Sequence, residues 1–179
     1  MSETLEPARE QLGTRVFAAQ VELLFESSPR NLAASLGGSS LAAALFYRES
    51  RSLSVLVWWL ALGLVTAARY ALVQRYRLRR PAAEEARAWA RRSTLGALAA
   101  GALWGLCLTT LVPPWGSGAY VLAVFMLAGI PAAALGSNVA VFPNFLAILL
   151  PFLVPYAGQQ LLTGEIDQVA AGLAAPIYA

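Results

Sequence analysis

An all-α, polytopic transmembrane helical bundle is the fold class this sequence predicts, and three observations predict it. Of 179 residues, 58% are hydrophobic and only 13% charged, where a soluble domain of this size would carry roughly twice that charge. The mean hydropathy is +0.59, and from residue 31 onward the apolar residues fall in runs long enough to cross a bilayer. Charge is also sorted by position. All thirteen basic residues are arginine, and eight of them lie between Arg69 and Arg92, bordering apolar runs. That is the pattern of a cytoplasmic loop facing anionic membrane lipid, so the sequence pI of about 9.4 implies no nucleic-acid partner.

The first ten residues are acidic and lack a basic segment leading into an apolar one, so they do not form a cleaved signal peptide. Over residues 14–28, Val16, Phe17, Val21, Leu24 and Phe25 recur at helical spacing, interrupted by Arg15, Gln20, Glu22 and Glu26. This predicts an N-terminal amphipathic helix, ended by Ser28, Pro29 and Arg30, that lies in the headgroup region or packs under the bundle. Residues 1–30 form a cytoplasmic N-terminal segment on this reading, and residues 31–179 the transmembrane domain.

Residues 31–47 are the first span, rich in Ser, Gly and Ala and at the lower limit of about 17 residues needed to cross the hydrocarbon. After a turn, residues 53–73 form the second span, with Trp58 and Trp59 near its start and Tyr70 near its end, where aromatic rings suit the two membrane interfaces. Nothing breaks this helix before Pro81. Glu84 and Glu85, followed by Arg87, Arg91 and Arg92, suit the dipole of the next helix. The third span covers residues 94–112, and Pro113 to Gly118 make a turn. The fourth covers residues 119–136, a polar interruption follows at 137–144, and the fifth runs to about residue 162 with kinks expected at Pro151 and Pro155. Residues 169–179 are apolar again, but eleven residues rise only about 16 Å against a core of about 30 Å. They are expected to be a sixth span, cut short. Eleven arginines against two, Arg48 and Arg51, put the N-terminus in the cytoplasm.

The chemistry this composition permits is narrow. There is no histidine, which removes the usual ligands of haem and catalytic zinc and the usual general base. No cofactor, metal site or catalytic residue is assigned, and the segment is not expected to be an enzyme. The single cysteine, Cys107, lies in an apolar run and allows no intrachain disulfide. None of the five complete spans carries an ionisable residue in its middle, which disfavours ion-coupled transport. Ala97, Gly101 and Gly105 form a small-residue face on the third span, a helix-packing or dimer face. Helix breakers and amides gather in spans four and five. With Trp104, the residues Pro131, Asn138, Pro143, Asn144, Pro151 and Pro155 are the candidates for kinks or a sensing cavity holding a small or lipidic ligand.

The stretches VELLFESSP at residues 21–29, GALWGL at 101–106 and AGIPAAAL at 128–135, with the arginine-rich loop between them, resemble the multi-pass, MASE-like N-terminal sensor regions of bacterial signalling proteins. In proteins of that kind such a module precedes a cytoplasmic histidine kinase, or GGDEF and EAL domains that make and break cyclic di-GMP. The resemblance implies a sensor-like domain over residues 31–179 in a bacterial inner membrane, acting as a homodimer with a downstream cytoplasmic signalling domain as its partner. No output motif stands in this chain, so on this resemblance the enzyme would lie outside it. The alternative is a standalone membrane scaffold, assembly factor or transporter subunit.

Overall fold

The computed structural model describes residues 5–112 and 117–163, the side chains of residues 5–10, 137, 160 and 163 excepted. It is all-helical there, with five helices: α1 (Leu5–Ser50), α2 (Leu53–Arg79), α3 (Ala86–Thr110), α4 (Gly118–Asn138) and α5 (Phe142–Thr163). A 3-10 turn, Ala83–Glu85, leads into α3. Four helices are long and apolar enough to cross a membrane: Leu53–Arg79, Ala83–Thr110, Gly118–Gly136 and Phe142–Gln159. The expected sixth span, the loop before it and the turn residues 113–116 lie outside the described residues.

The first 50 residues depart from expectation. The sequence predicts an amphipathic helix that stops at Ser28–Arg30 and a separate first span, whereas α1 is one helix of 46 residues, about 69 Å long, with Pro29 inside it. The boundary drawn at residue 30 therefore falls within a helix. A proline removes one N–H and crowds the turn before it, and the side chains around Pro29 fill the neighbouring carbonyls. The Ser27 and Ser28 hydroxyls donate to the Leu23 and Leu24 carbonyls at 3.0 and 2.6 Å, and the Asn31 amide donates to Ser27 O at 3.0 Å. Residues 31–47 are not among the four apolar candidates, because serine and glycine dilute their hydropathy. The buried Ser39 hydroxyl is satisfied within α1 by Leu36 O.

The other boundaries follow local chemistry. Arg51 takes a left-handed φ of 53° between α1 and α2, and Ser52 caps α2 by accepting from Ser54 N. At the far end of α2, Arg80 is left-handed at φ 42° and donates its N–H to Tyr76 O just before Pro81, as the sequence predicts. Ser117 caps α4, and the Glu49 carboxylate accepts from Ala119 N at 3.3 Å, tying the end of α1 to the start of α4. The polar interruption expected over 137–144 is shorter: only residues 139–141 separate α4 from α5, which leaves Asn138 and Asn144 helical. Pro143 then sits in the first turn of α5, where a missing N–H has no partner to lose.

Three apolar clusters hold the helices together among the described residues, the two larger of them at opposite ends. At the arginine-rich end, Val21, Leu24 and Phe25 of α1 pack against Val73, Trp89 and Val141. Phe25 stacks on Tyr76 at 4.0 Å, Trp89 meets both rings edge-on, and Arg92 lies over the Trp89 ring at 5.1 Å. At the other end, Phe46, Val55, Trp58, Trp104, Cys107 and Phe152 form the core. Trp58 is therefore not an interface ring. It is 3% exposed, meets Trp104 edge-on at 5.2 Å, and donates Nε1–H to Leu103 O at 2.8 Å. Trp59 is half-buried and donates to Ser40 Oγ. Buried indoles usually keep an N–H partner; α3 and α1 supply it for Trp58 and Trp59, whereas Trp89 Nε1 has none among the described residues.

A candidate ligand cavity in the helical bundle

Helices α3 and α5 make the closest contact in the bundle, and the small-residue face is the reason. A Cβ on Gly101 would collide with the Ile148 carbonyl oxygen and stand 2.9 Å from Ile148 Cα; one on Gly105 would collide with the Pro151 carbonyl oxygen. Ala97, fully buried, continues the face against Phe145 and Ile148. Ala97, Gly101 and Gly105 are thus packed on α5 of the same chain. The prolines take part in this contact. Pro155 has no N–H to give the carbonyl one turn back, which is that of Pro151, so this carbonyl is left to face the Gly105 backbone.

Helix α4 is held differently. Between it and α1 lies a cavity of about 310 Å³, floored by Arg69 of α2, Ala100 and Trp104 of α3 and Ile148 of α5. Ser28, Asn31 and Ser35 line it from one face of α1, and Met126, Ile130 and Asn138 from α4. Phe125, also in the wall, is 71% exposed, so the cavity opens sideways between α1 and α4.

Of the residues singled out from sequence for a sensing cavity, Trp104 and Asn138 line it. Pro131 is buried within α4, and Pro143, Asn144, Pro151 and Pro155 lie in α5, away from the wall. Asn144 nonetheless reaches the cavity through Asn138: its Nδ2 donates to Asn138 Oδ1 at 2.5 Å, while Asn138 Nδ2 donates to Ala134 O at 3.1 Å. Asn144 is fully buried, and its Oδ1 has no hydrogen-bond partner among the described residues. Replacing Asn138 with Ala strands the Asn144 amide as well. We expect a loss of about 1–2 kcal/mol in an unfolding titration, and less than the sum of the single losses when both are replaced.

Sequence reasoning missed Arg69, which it counted with the loop arginines, and the polar face of α1. A signal existed for the latter, because Ser28, Asn31 and Ser35 follow one another at spacings of three and four residues. No family model matches the chain, and no curated protein or solved structure matches it.

Proposed function

We propose that the chain is the membrane-embedded input module of a bacterial signalling protein. In this reading it sits in the inner membrane with its N-terminus in the cytoplasm, acts as a homodimer, and relays a membrane or periplasmic cue to a cytoplasmic enzyme outside this chain. The resemblance of its apolar stretches to sensor regions supports cyclic di-GMP turnover or a histidine kinase as the output. The observation that carries the reading is the unequal packing of one bundle: α3 and α5 are clasped backbone to backbone, whereas α4 meets α1 near its start and stands off it across an open cavity further along. A clasped pair is a fixed frame, and a helix beside a cavity can take a second position when the cavity fills. For a cue to act it must favour one packing by about 1–3 kcal/mol.

The first test is the native gene product, tagged at its N-terminus at its own locus and sized after membrane extraction. A product far larger than 19.0 kDa is expected. A product of about 19 kDa instead overturns the input-module reading in favour of a standalone scaffold or transporter subunit. The second test is movement. With the buried Cys107 replaced by Ala, spin labels at the exposed Leu41 of α1 and Val121 of α4 should report a change in separation when the cavity fills.

A further inference from the structure

Arg69 lies sixteen residues into α2, in a helix long and apolar enough to cross a membrane, and its side chain lines the cavity. A cation in such a place is costly unless something pairs with it or water reaches it. Among the described residues no carboxylate and no hydrogen-bond acceptor engages Arg69. Nor is the side chain free to leave. A Cβ on Gly96 would stand 2.8 Å from Arg69 Cγ and 3.2 Å from its Cδ, so the stem lies flat on the α3 backbone where only a glycine leaves room.

The cavity is polarised along its length. Trp59 bonds Ser40, so in the antiparallel α1–α2 pair the ten residues down to Arg69 bring it level with Asn31. Gly38 meets Met126, with 3.9 Å from its Cβ position to Met126 Cε, so Asn138, three turns further on, also belongs to that end. Ser28, Asn31, Arg69 and Asn138 thus share one end of the cavity, while Met126, Phe125 and Trp104 make the other. The volume of about 310 Å³ is at the small end of ligand pockets, roughly 300–1,000 Å³, and the opening is lateral, beside the exposed Phe125.

From the unpaired cation, the apolar end and the sideways opening, we infer that this cavity binds a single-chain anionic amphiphile from the membrane, its carboxylate or phosphate on Arg69 and its chain along Met126 and Phe125. The inference deepens the input-module reading and rests on it for what binding does, but occupancy is measured separately from movement.

The test uses the chain in phosphatidylcholine nanodiscs and dodecanoate carrying a photoreactive diazirine at its far end. Label is expected on the α4 peptide containing Phe125 and Met126, competed by dodecanoate and dodecyl phosphate but not by dodecanol or dodecyltrimethylammonium. Arg69→Gln should weaken labelling about tenfold or more, and Arg69→Lys should keep most of it. Gly96→Ala, which keeps the charge but displaces the stem, should weaken it several-fold. Equal competition by dodecanol, or undiminished labelling of a folded Arg69→Gln variant, overturns the proposal. Competition by phosphatidylglycerol as strong as that by dodecanoate overturns the single-chain assignment. If Arg69→Gln does not fold, the competition series on the unaltered chain decides. Binding without a change in the α1–α4 spin-label distance leaves the ligand class standing and sinks the input-module reading.

Discussion

Replacing Gly105 with leucine is expected to separate α3 from α5 and cost about 3 kcal/mol or more in an unfolding titration in mixed micelles. The large effect follows from what the new side chain meets. Overpacking against flexible side chains costs about 1–3 kcal/mol because they can move aside. At Gly105 the obstruction is the Pro151 carbonyl, with the Pro151 C 3.1 Å and the Phe152 Cα 3.4 Å from the Cβ position, so the whole of α5 has to shift. Gly101→Leu meets the Ile148 backbone in the same way. Gly63 is the control, since nothing lies within 4 Å of a Cβ there. Gly63→Leu should change stability by no more than about 0.5 kcal/mol. Equal losses at Gly63 and Gly105 would mean that leucine harms these helices generally and that no close α3–α5 contact exists.

The same glycines show how far the sequence could be read. Ala97, Gly101 and Gly105 stand four residues apart, and that spacing announces a close helix contact without naming the helix on the other side. The partner is set by tertiary placement: the carbonyls that Gly101 and Gly105 leave room for are those of Ile148 and Pro151 in α5. The place of Trp58 likewise depends on its neighbours. A tryptophan near the start of an apolar run suits the membrane interface, but which way it points depends on a neighbour with an accessible acceptor, here the Leu103 carbonyl. The break expected at Pro29 failed because serine hydroxyls have two uses. They cap a helix start, and they also bond back to carbonyls within a helix, as Ser27 and Ser28 do. Helix positions after residue 53 were readable because their runs are uniformly apolar and their ends carry strong signals, Pro81 and Ser117 among them. The cavity was half readable. Trp104 and Asn138 stood out by type, whereas Arg69 joins them only because α1 and α2 run antiparallel with Trp59 on Ser40.

These contacts also explain why the cavity lies where it does. Small residues bring α3 and α5 together, and the large rings of Trp58 and Trp104 fill the space between α2 and α3. Beyond its start, where Ala119 and Ala123 join the core and Glu49 accepts from Ala119 N, helix α4 reaches the rest of the bundle through Gly38 and Met126 near its middle and through the Asn138–Asn144 pair at its end. Between those two points lie Gly129, Ala133 and Ala134, too small to fill the gap to α1. The opening is therefore a consequence of composition: α4 has small side chains along the stretch where α1 presents Asn31, Ala34 and Ser35.

Trp58→Ala is expected to cost about 3–5 kcal/mol, the usual range for truncating a buried tryptophan, and to disturb the cavity although Trp58 does not line it. Trp104 carries the effect, since it packs edge-on to Trp58 and also forms part of the cavity wall. Without the Trp58 ring, Trp104 loses the support that holds it against the opening. Trp58→Phe separates ring packing from hydrogen bonding. It keeps an aromatic ring but removes the Nε1 donation to Leu103 O, and should cost only about 1 kcal/mol beyond the smaller ring's lost contacts. The two variants together distinguish a packing role from a polar one. If Trp58→Phe costs as much as Trp58→Ala, the bond to Leu103 holds α2 to α3. If it costs far less and leaves dodecanoate labelling intact while Trp58→Ala weakens it, the ring that braces Trp104 is what keeps the cavity in shape.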